Sequence, residues 1–334
     1  MSAGIALDVT GESFPIDGAF TISRGSRTEQ QVVHVRLAAA GVEAQAECVP
    51  YAHYGESPDG VIRDIHGFTE VLAATTDAAS ARRELQTALP SGAARNALDC
   101  ALWSLEARQK GVPVWQLAGL AAPEPTVTAY TLSLESPEAM HAAAARECSR
   151  PLLKLKLGGG PDDVERVAAV HAGAPQSTLI VDANEAWSVA DYERLAPLLL
   201  DNAVAMVEQP FPAGDDAALA SLERALPVCA DEASHDLAGL AALEGRYDII
   251  NIKLDKTGGL TEALALAAAA RESGLGIMVG CMVGTSLAMA PAFLLAAGAR
   301  FVDLDGPLLL ARDRSPAIRY EGSLMQPPEA ALWG

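Results

Sequence analysis

The sequence predicts an α/β protein, one (β/α)8-type barrel joined to a separate small α+β domain. Short apolar runs end abruptly in charged or amide residues: Leu152-Leu-Lys154-Leu-Lys156, Leu179-Ile-Val-Asp182, Val204-Ala-Met-Val-Glu208, Pro227-Val-Cys-Ala-Asp231, Ile249-Ile-Asn251-Ile-Lys253 and Phe301-Val-Asp303. A buried parallel strand reads this way where it opens onto a polar rim. The run ends recur roughly 22–27 residues apart, about one strand-plus-helix unit of such a barrel. Between them lie Ala- and Leu-rich stretches with helical spacing, such as Thr261 to Ala270.

Taken in order, residues 1–120 form the small domain, 121–310 the barrel and 311–334 a tail that returns to the small domain. Gly11 to Leu37 alternates polar and apolar residues, as antiparallel strands do. Glu47 to Pro58 is turn-rich, polar and aromatic, the composition of a binding loop. Ile62 to Arg108 has helical periodicity and is stopped by Gly111 and Pro113. Ala121 to Pro125 is the linker, and Thr126 to Leu134 is the expected first barrel strand. The tail has no further long helix, and Pro327, Pro328 and Trp333 should pack against the small domain.

Half of the 334 residues are apolar and few are aromatic, which suits helices packed on a sheet. A net charge of −19 argues against nucleic acid and anionic membrane as partners, since both select basic patches. Met1 to Asp8 has no basic n-region and no apolar core, so no signal peptide is expected. Leu287 to Ala299, the longest apolar stretch, is too short to span a bilayer and contains Pro291. Cys48, Cys100, Cys148, Cys229 and Cys281 are scattered, without zinc spacing, and read as reduced thiols of a cytoplasmic protein. Whether the chain forms a homo-oligomer is open.

Side chains of a strand alternate between faces. Leu153, Leu155 and Leu157 suit the outer helix layer, so Lys154 and Lys156 point into the barrel. The same phase sends Asn251, Lys253 and Asp255 inward, with Asp303 and Asp305. Asp182, Glu208 and Asp231 each finish a strand on the inward phase. Counted from Thr126, Lys156 is on the second strand and Lys253 on the sixth of eight, so the two face each other across the mouth. The three acids fall on strands three, four and five, between them.

Three convergent carboxylates do not stay ionised together without a cation. An all-oxygen donor set favours Mg²⁺, with Mn²⁺ as the alternative, over zinc. A lysine beside a divalent cation has its ammonium form disfavoured and can serve as a base near neutral pH. Two bases on opposite faces of one carbon make a 1,1-proton transfer with inversion, the cation stabilising the enediolate. Blander roles exist for each residue. A single acid after a strand is by default a helix N-cap, but three on adjacent strands are better explained by a shared ion. Lys154 is either a base or a rim lysine tied to a carboxylate. Lys256 rivals Lys253, but its strand phase is opposite. Asn184, Glu232 and Asp255 read as residues behind the ligands. Gly158 to Gly160 is a turn, since no GK[ST] follows, and His53, His171 and His235 have no evident partner.

Lys154-Leu-Lys156, Asp182-Ala-Asn184, Glu208-Gln-Pro210, Asp231-Glu232 and Asn251-Ile-Lys253 together resemble the enolase superfamily, in its muconate-lactonising branch. Lys or His bases with Mg²⁺ are the known chemistry of that superfamily. The resemblance implies a modified (β/α)7β barrel and a capping domain built from the N-terminal region and the tail. It assigns the base to Lys156 rather than Lys154, which takes a supporting role. Ser23 to Arg27, Tyr51 to Glu56, Asn251 to Gly259 and the pair Asp303/Asp305 are similar to dipeptide epimerases of the L-Ala-D/L-Glu type. That likeness implies a dipeptide substrate whose ammonium meets Asp303 and Asp305. Its Glu side chain would meet Arg24 or, second, Arg27, with Tyr54 as a further contact. Cell-wall peptide recycling is the implied context. N-acylamino-acid racemase, o-succinylbenzoate synthase and muconate cycloisomerase use the same machinery on substrates without a free ammonium. A non-catalytic ligand-binding barrel is the reading of a different class.

Overall fold

A computed structural model describes residues 4–334. The N-terminal unit is a three-stranded antiparallel sheet under a helical layer. Strands β1 (Ala6–Ile22) and β2 (Gly25–Ala39) form a long hairpin, and β3 (Val42–Cys48) pairs with β2. Strand β3 went unread in the sequence because its inward residues are small. Ala44, Ala46 and Cys48 are buried all the same. Helices α1 (Pro58–Gly67), α2 (Thr69–Ala74), α3 (Ala78–Ala88), α4 (Ala93–Lys110) and the short α5 (Val114–Leu117) follow. Ser57 and Asp77 cap α1 and α3 by accepting from Gly60 N and Ala79 N. Helix α4 is buried over most of its length, covered on one side by β3 and on another by the barrel.

The expected first barrel strand divides in two. β4 (Thr126–Val127) lies outside the barrel, and β5 (Tyr130–Leu132) is the first barrel strand. The barrel then runs α6 (Pro137–Arg146), β6 (Leu152–Lys156), α7 (Asp163–Gly173), β7 (Thr178–Asp182), α8 (Val189–Asp201), β8 (Val204–Glu208) and β9 (Val228–Ala230). It continues through β10 (Ile249–Ile252), α9 (Leu254–Thr257), α10 (Leu260–Glu272), β11 (Gly276–Gly280), α11 (Ser286–Phe293) and β12 (Phe301–Asp303). The connections after β8 and β9 hold only the 3-10 turns Ala217–Ala220 and Leu237–Ala242. After β12 only the 3-10 turn Gly306–Leu309 follows among the described residues, so the last strand has no α-helix behind it. Its eight strands pair in sequence order, all parallel. The circle is closed by Ala129 N donating to Val302 O (2.8 Å) and Leu304 N donating to Thr128 Oγ1 (2.8 Å).

Inward residues stack in layers. Leu152, Ile180, Met206, Cys229, Ile249 and Met278 fill the lower barrel as an apolar plug. Two residues further along five of these strands the inward column turns polar, with Lys154, Asp182, Glu208, Asp231 and Asn251. Outward residues such as Leu153, Leu155, Val181, Val207 and Ile250 join the core beneath the helices.

The tail contacts β4 and α4. Strands β13 (Tyr320–Glu321) and β14 (Leu324–Met325) pair with each other, and β14 pairs with β4. Trp333 is buried and donates from Nε1 to Cys100 O (3.1 Å) on α4. Phe14, Ile16 and Phe20 of β1 pack with Met282, Val283 and Leu310, seating the N-terminal hairpin over the barrel mouth.

Candidate active site

The strand register sets the site. Lys156 is level with Asp182, and Asp182 is level with Glu208, on consecutive parallel strands. Asp231 follows β9 directly. Asp182, Glu208 and Asp231 are fully buried, and each offers an oxygen within 4.8 Å of the others. The three fit a divalent cation by two observations. The donors are all oxygen, which matches Mg²⁺. Glu208 Oε2 is buried without an aligned hydrogen-bond donor, although the Lys154 ammonium sits 2.6 Å away.

The lysines offset this negative charge. Lys156 Nζ donates to Asp182 Oδ2 (2.6 Å), and Lys253 Nζ to Asp231 Oδ2 (2.7 Å). Lys154 Nζ is central, 2.8 Å from Asp303 Oδ2, 2.6 Å from Glu208 Oε2 and 3.2 Å from Asp182 Oδ2. Burial raises the Asp182 carboxyl, but Lys156 and Lys154 outweigh it and hold the group at about 2. Burial and the neighbouring Asp182 push Glu208 up to about 7. Burial likewise opposes ionised Asp231, yet Lys253 and Lys256 hold it well below the usual range. Desolvation presses the Lys253 ammonium down, and the attraction of Asp231 more than reverses that.

The cavity above these groups is lined by Lys154, Lys156, Lys253, Asp303, Asp305 and the roof residues Arg24, Arg27 and Tyr54. It holds only about 50 Å³, room for a water or two and too little for a dipeptide. A second cavity of about 430 Å³ adjoins it, lined by Phe20, Ile22, Arg24, Arg27 and Tyr51. The roof is the β1–β2 turn. Arg24 clamps it to the barrel, with Nη2 on Glu232 Oε1 (2.7 Å) and Tyr51 Oη (3.2 Å), and Nη1 on Glu185 Oε2 (3.1 Å). Burial lowers Arg24 basicity, but Glu232 raises it further, so the clamp stays charged. Arg27 has no carboxylate partner among the described residues and rests near the Phe20 ring, 5.5 Å from its centroid. Desolvation lowers its pKa. On the far side Asp305 Oδ2 accepts from Thr131 N (2.6 Å), and burial with the Asp303 charge pushes its carboxyl up to about 7. Tyr54 packs edge-on to Tyr51 and His235, and burial raises its phenol pKa.

Of Asn184, Glu232 and Asp255, expected behind the ligands, the first two lie beside Asp182. Asn184 N donates to Asp182 Oδ1 (2.9 Å), and Asn184 Nδ2 to Glu232 Oε1 (3.2 Å). Asn184, Glu185 and Gln209 carry positive φ without being glycine, local strain at the strand ends that surrounds this site. Asp255 is elsewhere. Its Oδ1 accepts from Val49 N (2.9 Å) and Asn96 Nδ2 (2.8 Å) of the N-terminal unit, not from the barrel interior. The strand ends at Ile252 and α9 begins at Leu254, so the two-residue period used to aim Asp255 no longer applies. The same change brings Lys256 in. Its side chain is fully buried and reaches Asp231, where the strand phase had aimed it away.

Asn251 and Gln209 had no assigned role. Asn251 Nδ2 donates to Glu208 Oε1 (2.7 Å), as its inward phase allowed. A Cβ at position 280 would lie 2.4 Å from Asn251 Oδ1, so glycine there makes room for that contact. Gln209 Oε1 accepts from Asp231 N (2.9 Å) and Ala233 N (3.1 Å) while its amide donates to Phe211 O and Tyr247 Oη. Nothing in a local sequence pattern announces that role, since all four partners are distant or in loops. The Gly158–Gly160 turn is pinned, not loose: Asp163 accepts from Gly158 N and Gly159 N.

Residues 5–119 match the mandelate racemase/muconate lactonizing enzyme N-terminal domain, and residues 138–330 match the enolase C-terminal domain-like family. The chain is 46% identical over 316 residues to L-Ala-D/L-Glu epimerase of Escherichia coli (strain K12), covering 94% of this chain and 97% of that one. It is also 46% identical over 293 residues to N-acetyl-D-glutamate racemase of Pseudoalteromonas sp, covering 86% and 90%. A crystal structure from Agrobacterium tumefaciens, an enolase family member with homology to dipeptide epimerases holding sodium and L-Ala-L-Glu, superposes with a TM-score of 0.95. That pair is 50% identical, with 99% of this chain and 100% of that one covered. A dipeptide epimerase from Enterococcus faecalis V583, complexed with Mg and L-Leu-L-Tyr, superposes at 0.91 with 26% identity, covering 98% of both.

Proposed function

We propose, from the premise that this chain belongs to the enolase superfamily and carries both domains of its mandelate racemase/muconate lactonizing branch, that it is a dipeptide epimerase of the L-Ala-D/L-Glu type. It is an isomerase that inverts the Cα of the C-terminal residue. The observation that carries this reading is Lys156 at the end of the second barrel strand and Lys253 just past the end of the sixth, with Asp182, Glu208 and Asp231 at the strand ends between them. Asp182, Glu208 and Asp231 would hold a Mg²⁺ ion, which when bound would supply positive charge to offset the charge left by α-proton loss and would weaken the acids' hold on the lysine protons. Mn²⁺ suits the same donors.

One lysine takes the α-proton onto Nζ, and the other delivers a proton to the opposite face. The roles exchange for the other epimer. Lys154 touches Glu208 and Asp303 at once, which suits a group that neutralises the cage rather than one that moves a proton. Asp303 and Asp305 face the same cavity and suit the free ammonium of the dipeptide. Arg24 already serves Glu185 and Glu232. Arg27, without such partners, is the counter-charge for the Glu side chain. The free thiols fit a cytoplasmic setting.

A second reading is favoured by the relative from Pseudoalteromonas: racemisation of an N-acyl glutamate. It keeps Arg27 in use and removes the ammonium that Asp303 and Asp305 would bind. Incubation with Mg²⁺ in D₂O separates the two. With L-Ala-L-Glu, the Glu α-proton signal should vanish in the NMR spectrum as the L-Ala-D-Glu diastereomer appears. Exchange with N-acetylglutamate and none with the dipeptide overturns the dipeptide assignment.

A further inference from the structure

Asp231 is held differently from the other two acids of the cage. Lys253 Nζ takes its Oδ2, and Lys256 Nζ takes its Oδ1 (2.6 Å). Lys256 Nζ also donates to the carbonyl oxygens of Asp231 and of Asn251, the latter at 3.1 Å. Gln209 Oε1 receives the Asp231 N–H (2.9 Å). An ammonium has three N–H donors, and these three acceptors occupy all of them. Lys256 does not line the cavity and is buried to the same degree as the cage acids. It has neither a free donor nor a path to a substrate carbon. Asp231 is thus fixed at its amide, its carbonyl and Oδ1, and Oδ2 is left to Lys253.

We propose that Lys256 is a positioning residue that pins the Asp231 carboxylate, so that Oδ2 is presented to the divalent cation and sets the place of Lys253. This rests on the two-lysine reading above, but cation binding tests it without any substrate. By charge alone, removing an ammonium beside a cation site tightens cation binding. Losing the group that orients a metal ligand weakens it, commonly by ~10–100-fold. The two effects have opposite signs.

The test is Mn²⁺ titration followed by electron paramagnetic resonance, on the unmutated chain, Lys256→Met and Lys256→Gln. The expected result is weaker binding in Lys256→Met by roughly tenfold or more. Lys256→Gln, which keeps an amide donor, should fall between the two. Unchanged or tighter binding in a folded variant overturns the proposal. A kinetic readout accompanies it at saturating Mg²⁺, since deuterium exchange at Cα of a single epimer needs only the base on its own face. Lys256→Met should impair exchange of the same epimer that Lys253→Ala impairs and leave the other within about threefold, as expected for one base term. Equal loss for both epimers overturns the positioning of Lys253. Should neither variant fold, the crystal structure of the unmutated chain with Mg²⁺ decides: Lys256 Nζ stays on Asp231 Oδ1, or its departure overturns the proposal. A failure of the dipeptide assignment would leave the Mn²⁺ result standing.

Discussion

Arg27 and Arg24 are three residues apart on one turn, and their surroundings separate them. Arg24 braces the roof against Glu185 and Glu232, while Arg27 faces the cavity without a carboxylate. Arg27→Gln should lower kcat/KM for L-Ala-L-Glu by ~10–100-fold, the loss of a charge-assisted pair. L-Ala-L-Gln, with no side-chain charge, should change by less than about threefold. Equal losses on both substrates in steady-state assays would remove Arg27 from substrate choice. The residues that the sequence made legible are those on a strand or, like Asp231 and Lys253, one residue past its end. Lys154, Lys156, Asp182, Glu208 and Asn251 follow the alternation of sides, so each could be aimed from its neighbours. Asp255 and Lys256 sit past the end of β10, where the alternation stops, and their aims came out reversed.

That junction has a consequence at the scale of the element. Asp255 on α9 stitches the barrel to Val49 and α4, through Val49 N and Asn96 Nδ2. Burial pushes its carboxyl from 3.8 up to about 7. Between those values the folded chain keeps a proton that the unfolded chain has released. The stability this contributes is complete below about 4 and is lost as pH rises through 7, at up to ~1.4 kcal/mol per pH unit. Asp255→Asn keeps the accepting oxygen and carries no charge. Its advantage over the unmutated chain, followed by urea unfolding, should therefore grow from pH 5 to pH 8. A constant difference would mean that Asp255 does not titrate in this range. Strands β3 and β4 show the other limit of the sequence. β3 has too few large apolar residues to read as a strand. β4 looks continuous with β5 along the chain, yet it pairs with the tail, and no local pattern reveals a partner some 200 residues away.

Across the whole molecule, the barrel carries Lys156 and Lys253 on strand ends that flank the three acids, and the N-terminal hairpin seats over its mouth. The regular strand spacing made the barrel readable, because each βα unit repeats the same burial problem. The roof and its clamp were not readable, since they depend on contacts between Arg24 and barrel loops far along the chain. The central claim is that Lys156 and Lys253 address opposite faces of one carbon. The direct measurement is deuterium incorporation at Cα of L-Ala-L-Glu and L-Ala-D-Glu, each supplied pure, by Lys156→Ala and Lys253→Ala at saturating Mg²⁺. Each variant should lose epimerisation by at least ~10²–10⁴-fold while still exchanging the proton of one epimer, and the two variants should retain opposite epimers. Retention of the same epimer by both, or unimpaired epimerisation in either, would contradict the account.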